Sequence, residues 1–168
     1  MILITGAAGY IGSHIAKKLL EQNKEIIVID NLSTGFQSTI DTLQKIKKFK
    51  FINLDLNKFN EVEKIFQENN IDTVIHFAAF SQVGESIKTP MKYYMNNTVN
   101  TINLVKYASK YGVEKFIFSS TAAVYGEPDF KNNQNIIDEN FETSPINPYG
   151  HSKLMSERVI IDESKVND

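Results

Sequence analysis

A tyrosine and a lysine four residues apart, Tyr149 and Lys153, are the two side chains of this sequence best suited to move a proton. Four residues is about one helical turn, so on a helix both side chains leave the same face and the ammonium can lie beside the phenol. Tyrosine keeps its proton at neutral pH because its ordinary pKa is about 10, and each pH unit of lowering needs about 1.4 kcal/mol of preferential stabilisation of the phenolate. A neighbouring ammonium supplies part of that stabilisation. The pair is therefore a candidate base, although the same spacing is also typical of a surface pair on an amphipathic helix.

Hydroxyl side chains precede this pair in the segment Phe118-Ser119-Ser120-Thr121, which ends a short apolar run. We expect these hydroxyls to point into the same crevice as the tyrosine. A hydroxyl donor, a phenol and a lysine together suit the removal of a proton from a substrate alcohol while a hydride leaves its carbon. Such a reaction needs a hydride acceptor, and the N-terminal part of the chain predicts one.

Three glycines spaced three residues apart, Gly6, Gly9 and Gly12, follow the first apolar run and open a helical segment. In such a turn the first glycine permits a tight bend, the middle one lets the backbone approach a pyrophosphate, and the last lets the helix pack on the strand. A second apolar run ends at Asp30, whose carboxylate can accept hydrogen bonds from both hydroxyls of an adenosine ribose. That carboxylate would repel a 2′-phosphate, so the pattern predicts NAD rather than NADP. The alternative is a capping aspartate after a glycine-rich packing turn.

The composition of the 168 residues, 42% hydrophobic and 23% charged with a net charge of −2, is typical of a globular domain with its own core. The charges are of mixed sign, so we expect no nucleic-acid partner. The chain has no cysteine, which excludes disulfides and thiolate metal sites. No apolar run approaches the about 20 residues needed to cross a bilayer, and the first apolar segment is too short and uncharged for a signal peptide. We therefore expect a cytoplasmic enzyme or binding domain without membrane contact.

Short apolar runs rich in β-branched residues alternate along the chain with segments of helical spacing. Strands are predicted at residues 2–4, 25–29, 49–52, 73–77 and 115–118. Helices are predicted at residues 10–22, 42–48, 58–69, 91–111 and 148–163. The strand runs are nearly continuous rather than alternating, which indicates a parallel sheet covered on both faces. The sequence therefore predicts an α/β fold, a Rossmann-like doubly wound parallel sheet, as a single domain over residues 1–168.

Three further features follow predicted strands. Asp55 comes after the third strand and could hydrogen-bond an adenine amino group or cap the next helix. His76 is predicted to be a packed strand residue, because no second histidine or carboxylate stands at ligand spacing, and we expect no metal. The small residues after it allow a flat ligand to approach the backbone. The polar segment 126–147 is long for a connection. It could be a surface excursion, but it begins at the carboxyl end of a strand, where ligands bind in this fold, which favours a substrate-side loop.

Together these segments resemble the extended short-chain dehydrogenase/reductase family and, within it, the UDP-glucose 4-epimerases. The resemblance covers residues 1 to 161. It rests on six segments in the same order: TGAAGYIGSH (5–14), DNLSTG (30–35), HFAA (76–79), VGES (83–86), FSSTAAVYG (118–126) and PYGHSKLMSE (148–157). The resemblance implies a UDP-sugar substrate and an NAD cofactor that stays bound throughout the reaction.

The resemblance also implies a role for each matching residue. Tyr149 would be the base for the C4 hydroxyl of the sugar, and Thr121 would shorten and orient that contact. Lys153 would bind the nicotinamide ribose and lower the pKa of the tyrosine. The residues expected to bind the cofactor are Gly6, Gly9, Tyr10, Ile11, Gly12, Asp30, Asn31, Leu32, Ser33, Thr34, Gly35, Asp55, Leu56, Phe77, Ala78, Ala79, Ser81, Asn96, Ser119, Tyr149 and Lys153.

The sequence departs from the family pattern at two points. Ala122 and Ala123 stand where related dehydratases carry an acidic pair that expels water, so dehydration is disfavoured. Ser81 stands where some epimerases place a lysine that touches the cofactor ribose, which puts that one contact in doubt.

Members of the family are longer than this chain, so the resemblance implies an N-terminal, NAD-binding fragment that stops before the C-terminal sugar-nucleotide part. Such a fragment is expected to lack substantial epimerase activity by itself. Two alternatives stay open at this point: an epimerase of an N-acetylated or uronic UDP-sugar, and a non-catalytic NAD-binding module. The resemblance further implies a homodimer formed through the helices near 91–111 and 148–163.

Overall fold

The computed structural model describes residues 1–127 and 136–166, which fall into two compact units. Unit 1 comprises residues 1–79 and 103–119, and unit 2 comprises residues 80–102 and the described part of 120–166. The expectation of a single domain over residues 1–168 stays a prediction. Residues 128–135 of the predicted loop 126–147 lie outside the described residues.

Unit 1 is built on a five-stranded parallel sheet with the strand order β3-β2-β1-β4-β5. The strands are Ile2–Thr5 (β1), Ile26–Asp30 (β2), Lys50–Asn53 (β3), Thr73–His76 (β4) and Lys115–Phe118 (β5). Each begins and ends within one residue of its predicted bounds. The strand order reverses between β1 and β4, and in open α/β sheets ligands bind outside the carboxyl ends of the strands at such a point. The predicted doubly wound parallel sheet is confirmed.

The apolar strands bury both faces of this sheet. Leu3, Ile27 and Ile29 belong to one cluster of buried side chains. Ile4 and Val28, which alternate with them along β1 and β2, belong to a second cluster. Successive side chains of a strand point to opposite faces, so a continuously apolar strand supplies both cores. Full burial of one such side chain contributes about 1.5–3 kcal/mol relative to exposure, before the entropy of ordering the chain.

Helices make up the rest of the regular structure within the described residues. They are Tyr10–Glu21 (α1), Gln37–Ile46 (α2), Phe59–Glu68 (α3), Val83–Lys88 (α4), Pro90–Tyr93 (α5), Asn100–Lys110 (α6) and Pro148–Ser164 (α7), with a π-helix at Tyr94–Val99 and a 3-10 helix at Ala122–Tyr125. Within residues 1–127 and 136–166, no helix combines the length and the apolar character that a membrane span requires.

The predicted bounds of α2 were wrong at its N terminus. The apolar spacing placed the start at residue 42, whereas the helix begins at Gln37. Its buried residues are Ile40 and Leu43, and the turn before them consists of Gln37, Ser38 and Thr39. The polar first turn gives no periodic signal, and the prediction also left out the buried Ile40, which lies before the predicted start.

The single helix predicted for residues 91–111 is also wrong, because a π-helix at Tyr94–Val99 separates α5 from α6. A π-helical turn holds an extra residue and changes which side chains face inward. In unit 2 this turn buries Asn97 and Thr98. Because the side chains it buries are polar, an apolar period could not have revealed it.

Candidate functional site

The glycine turn between β1 and α1 in unit 1 has two tightly packed glycines and one open glycine. Gly6 has a φ of +77°, and a Cβ on it would lie 2.6 Å from the backbone N of Ala78. A Cβ on Gly12 would lie 2.3 Å from the carbonyl oxygen of Gly6. Gly9 has a φ of −83°, which any residue can adopt, and the described atom nearest to a Cβ on it is the Gly6 carbonyl oxygen at 3.4 Å. Packing explains the first and third glycines, whereas Gly9 leaves space in which a ligand can approach the backbone.

The N terminus of α1 next to this turn suits an anion. No side chain caps the helix, and its first turn carries no acidic residue. The first N–H groups of a helix lack partners within the helix, and the helix dipole adds positive potential there. Tyr10 and Ile11, the first two residues, are 82% and 56% exposed. The turn and the helix N terminus together can therefore hold a phosphate group.

Asp30 ends β2 with a buried carboxylate in a fixed orientation. One oxygen accepts a hydrogen bond from the backbone N–H of Ala8 at 2.9 Å, and the other accepts from the N–H of Leu32 at 2.8 Å. Leu32 itself has a φ of 57°, in the left-handed region that a leucine rarely occupies. Each carboxylate oxygen can accept a further hydrogen bond. The aspartate thus holds the glycine turn and the loop after β2 and keeps capacity to accept from a ribose hydroxyl.

A second carboxylate, Asp55, extends this network. Its Oδ2 accepts from the side-chain amide of Asn31 at 3.0 Å, and its Oδ1 accepts from the backbone N–H of Asn57 at 2.8 Å. Partial burial opposes ionisation, but the hydrogen bonds from Asn57 and Asn31 prevail and hold the pKa of Asp55 below its ordinary value. The expectation that it could cap the next helix was wrong, since the residue preceding α3 is Lys58. Asp55 forms a turn after β3 instead and stays ionised at neutral pH.

The carboxyl end of β4 contains His76, which is a packed strand residue, as predicted. It is 1% exposed, and its Nδ1 lies 2.6 Å from the hydroxyl oxygen of Thr5. Its carbonyl oxygen accepts from the N–H of Ser119 at 3.1 Å. Phe77, Ala78 and Ala79 follow it and are partly exposed. Within the described parts of the chain, no group of three or more histidine, aspartate or glutamate side chains could hold a metal ion.

In unit 2, Tyr149 and Lys153 lie on α7, the helix that the sequence predicts for them. The side chain of Asn147 caps this helix by accepting from the N–H of Gly150 at 2.8 Å. The ring of Tyr149 is partly exposed and meets the ring of Tyr93 edge to face, with 6.3 Å between the ring centroids. The cap fixes the first turn of the helix and the ring contact supports the tyrosine from one side, so the phenol is held at a defined place.

The lysine one turn further along α7 is buried. Lys153 is 3% exposed, and this burial lowers its pKa to about 8, although the nearby carboxylate of Glu157 acts in the opposite direction. Burial disfavours the charged form of a lysine because it removes the ammonium from water. Such an ammonium gains stability from any neighbouring oxygen that acquires negative charge, and a phenolate one helical turn away would be such an oxygen.

Thr121, the residue whose hydroxyl is predicted to lie beside Tyr149, is in unit 2 and immediately precedes the 3-10 helix Ala122–Tyr125. Its Oγ1 accepts from the N–H of Ala123 at 3.2 Å, which caps that helix. A hydroxyl that accepts in this way keeps its own hydrogen for donation. The 3-10 helix packs against α7. Thr121 therefore keeps a hydroxyl hydrogen that it can donate to another oxygen.

The remaining predicted cofactor residues of unit 2 are Ser81, which is exposed, and Asn96, which is partly buried. The Asn96 side-chain amide donates to Oδ1 of Asn97 at 3.0 Å. In unit 1, Ser33, Thr34 and Gly35 follow Asn31 and Leu32 in the loop before α2, and Leu56 is buried in the core. The roles of all these residues toward a cofactor stay predictions.

The sequence reasoning missed Asn97, the central side chain of unit 2. It is 2% exposed, and its Oδ1 accepts from the N–H of Phe80 at 2.9 Å. Its amide group donates to the Phe80 carbonyl oxygen and to the Ser152 hydroxyl, each at 3.0 Å. Thr98 donates to the carbonyl oxygen of Ser152 at 3.0 Å. These bonds join the π-helix to the stretch of α7 between Tyr149 and Lys153, and no spacing rule points to them.

The sequence reasoning also gave no role to Tyr93 and Glu85. Tyr93 is fully buried, and its hydroxyl donates to Glu85 Oε2 at 2.8 Å. Burial, followed by the hydrogen bond to Glu85, raises the pKa of Tyr93 to about 12. The VGES segment that carried part of the resemblance thus anchors the aromatic ring against which Tyr149 rests.

Comparison with known proteins supplies the family. The NAD dependent epimerase/dehydratase family matches residues 2–166. The chain belongs to this family. Its relatives include UDP-arabinose 4-epimerase 1 of Arabidopsis thaliana, which is 44% identical over 99% of this chain and 40% of the plant protein. UDP-glucose 4-epimerase of Bacillus subtilis is 44% identical over 96% of this chain and 47% of its own length.

Solved structures of family members agree with the fold. The UDP-Glc/GlcNAc 4-epimerase of Campylobacter jejuni matches with a TM-score of 0.94 and 50% identity over 99% of this chain and 49% of that protein. UDP-glucose 4-epimerase of Bifidobacterium longum, solved in complex with NAD+ and UDP, matches with a TM-score of 0.92 and 38% identity over 99% and 49%. The chain thus spans about half the length of the relatives it matches. The predicted family and its NAD dependence are confirmed.

Proposed function

We propose that this chain is the NAD-binding part of a UDP-sugar 4-epimerase that acts on UDP-glucose and UDP-galactose. The observation that carries the proposal is the pair on α7 in unit 2, a partly exposed Tyr149 one turn before a buried Lys153. Two findings favour proton-transfer machinery over a surface pair. The chain belongs to an epimerase family. Lys153 is 3% exposed, whereas the lysine of a surface pair would be largely exposed to solvent.

Unit 1 fits the adenosine and pyrophosphate of NAD. The open space at Gly9 and the uncapped N terminus of α1 suit the pyrophosphate. The carboxylate of Asp30 suits the ribose hydroxyls and repels the 2′-phosphate of NADP. The remaining proposed cofactor contacts are those named from the resemblance, from Gly6 to Gly12, from Asp30 to Gly35, at Asp55 and Leu56, from Phe77 to Ala79, at Ser81 and Asn96, at Ser119, and on α7.

Unit 2 supplies the proton chemistry of the proposed reaction. Tyr149 removes the proton from the C4 hydroxyl of the sugar, and Thr121 donates a hydrogen bond to the same oxygen. Lys153 stabilises the phenolate and contributes to holding the cofactor ribose. NAD, when bound, supplies a reversible acceptor for the C4 hydride, so that a 4-keto sugar forms and is reduced again on its other face. Tyr149 then returns its proton to the C4 oxygen.

Residues 122 and 123 favour epimerisation over loss of water. Both are alanines in the 3-10 helix that follows Thr121. Expelling water from the sugar needs a general acid for the leaving hydroxyl, and an alanine has no proton to give.

A second candidate substrate is an N-acetylated or uronic UDP-sugar. The 50% identity with the structure named as a UDP-Glc/GlcNAc 4-epimerase favours the N-acetylated form. A third candidate is an NAD-binding module without turnover. The presence of Thr121, Tyr149 and Lys153 together argues against this module.

We further propose that the protein forms a homodimer through the helices near 91–111 and 148–163. Apolar side chains on these helices in unit 2 are exposed, namely Met91, Met95, Ile102, Met155 and Ile161. Sedimentation equilibrium checks this. A dimer that Met95→Lys dissociates supports the interface, and a wild-type chain that is monomeric at all concentrations contradicts it.

Calorimetric titration of the purified chain with NAD, followed by addition of UDP-sugars, tests the proposed function. We expect NAD to bind and NADP to bind more weakly. UDP-glucose, UDP-galactose and UDP-N-acetylglucosamine are then added while the absorbance of reduced nicotinamide is followed. We expect little conversion of UDP-galactose by the 168-residue chain. Absence of NAD binding would overturn the proposal, and NAD binding with no response to any UDP-sugar, in this chain or in a longer form of it, would favour the module.

A further inference from the structure

Glu157 stands one helical turn beyond Lys153 on α7, in line with Tyr149 two turns before it. The side chain is partly buried. Its Oε1 accepts a hydrogen bond from the hydroxyl of Ser120. Residues four apart on a helix are neighbours on one face, so the carboxylate also stands beside the Lys153 side chain. The charge of Glu157 correspondingly opposes the effect of burial on the pKa of Lys153.

The hydroxyl that Glu157 accepts from belongs to the residue immediately before Thr121. Thr121 caps the 3-10 helix through Ala123, and that helix packs against α7. One carboxylate therefore accepts from Ser120, the residue before the proposed donor, and places its charge one helical turn from Lys153. Hydrogen bonds that involve an ionised acceptor are shorter and stronger than neutral ones.

Other titratable groups lie on the elements that pack against α7, and several are already engaged with one another. Glu85 accepts from Lys92 at 2.6 Å and from Tyr93 at 2.8 Å. The titratable side chains on α4, α5, the π-helix and the 3-10 helix are Glu85, Lys88, Lys92, Tyr93, Tyr94 and Tyr125.

The geometry points to Glu157 as a positioning residue of the proposed site, which holds the Thr121 turn against α7 through Ser120 and supports the buried ammonium of Lys153. This inference rests on the proposed roles of Thr121 and Lys153. Glu157 acts through these residues and takes no proton from the sugar. A carboxylate does both tasks at once, because one oxygen can accept from the hydroxyl while the negative charge acts on the ammonium.

Two substitutions test the two tasks of Glu157, its charge and its hydrogen bond to Ser120, separately. Glu157→Gln removes the charge but keeps a carbonyl oxygen that can accept from Ser120. Carbon-13 NMR of the lysine Cε resonances, with Lys153 assigned by its absence in Lys153→Met, gives the titration midpoint. We expect the Lys153 midpoint in Glu157→Gln to fall by about one pH unit, the size of effect that a nearby opposite charge has. We expect the exchange rate of the Ala123 amide to stay as in the wild type.

Ser120→Ala removes the hydrogen bond but keeps the charge. We expect the Ala123 amide, which Thr121 caps, to exchange with solvent about tenfold faster, as loss of a hydrogen bond to a charged acceptor predicts. The Lys153 midpoint should stay within about 0.3 pH unit of the wild type, because the charge that supports the ammonium is unchanged. The amide of Ser156 in the middle of α7 reports any general loosening.

Asp162→Asn is the matched control, since it removes an exposed acid from the same helix, and it should change neither readout. An unchanged Lys153 midpoint in Glu157→Gln, or an unchanged Ala123 exchange rate in Ser120→Ala, overturns the inference. A general rise in exchange that includes Ser156 also overturns it, because Glu157 and Ser120 would then serve overall stability. Neither readout needs cofactor or sugar, so failure of the proposed function, seen as absent NAD binding by the wild type, is recognised separately.

Discussion

Replacing Lys153 by methionine should make unit 2 more stable at neutral pH, and the gain should vanish as the pH rises. Methionine keeps most of the length and apolar surface of the lysine side chain and carries no charge. Lys153 is 3% exposed, so the folded chain holds an ammonium almost entirely out of water. The expected stabilisation comes from removing that charge.

The magnitude follows from the pKa of Lys153, which burial lowers from 10.5 to about 8 against the opposing charge of Glu157. One pH unit corresponds to about 1.4 kcal/mol, so the charged lysine costs about 3 kcal/mol in the folded state. Below pH 8 the lysine is charged in both states and the whole cost is present. Between pH 8 and 10.5 the unfolded chain binds the proton and the folded chain does not, so wild-type stability rises with pH. Above that window the cost is gone.

Urea unfolding followed by circular dichroism at several pH values between 7 and 10.5 measures this difference. The free-energy difference between Lys153→Met and the wild type should decrease by about 3 kcal/mol across the window, with no change in the slope of the urea dependence. Lys165→Met removes the same charge from an exposed side chain and gives the background. A difference between Lys153→Met and the wild type that does not depend on pH would refute the reasoning, because the buried ammonium would then be fully compensated.

Three further predictions concern the glycine turn, Asp30 and the Asn97 network. Gly9→Ala should change the free energy of unfolding by less than about 0.5 kcal/mol but weaken NAD binding by about tenfold or more. Gly12→Ala should lower the free energy of unfolding by about 1–3 kcal/mol, because its Cβ would lie 2.3 Å from a backbone oxygen. Urea unfolding and calorimetric titration with NAD of both variants check this. Asp30→Asn should lower the preference for NAD over NADP by about tenfold, measured as the ratio of the two dissociation constants, and an unchanged ratio would show that the carboxylate does not select the cofactor. Asn97→Ala should destabilise unit 2 by about 1–3 kcal/mol in urea, since it leaves partly buried backbone groups of Phe80 without their side-chain partner. A loss below about 0.5 kcal/mol would contradict the central role of the amide.

The sheet of unit 1 could be predicted almost to the residue, and the reason is physical. A parallel strand buried on both faces must be apolar at every position, so runs such as residues 26–29 identify both the strand and its class. Helices depend on one face only, and their polar ends give no such signal. This is why the prediction missed the polar first turn of α2, which begins at Gln37. The π-helix could not be predicted at all, because the residues that it buries are Asn97 and Thr98.

In the candidate site, too, residue spacing predicted which side chains belong together, but not how tightly each is packed. Gly6, Gly9 and Gly12 could be named from the sequence, but not the difference between them, which depends on the distance from each Cβ position to its neighbours. The spacing of Tyr149 and Lys153 predicted one helix face. It could not predict that the lysine is buried, since burial depends on the partners that the fold brings to that face.

The rings of Tyr93 and Tyr149 in unit 2 meet edge to face, but the two phenols have different surroundings. The Tyr93 hydroxyl is buried and bonded to the carboxylate of Glu85, and both effects raise its pKa to about 12. Tyr93 therefore keeps its proton throughout the neutral range and serves as a rigid apolar wall. Tyr149 has a partly exposed ring, with an ammonium rather than a carboxylate on the next turn of its helix. A negative neighbour opposes loss of a phenolic proton, which argues against Tyr93 as the base and supports the role proposed above for Tyr149.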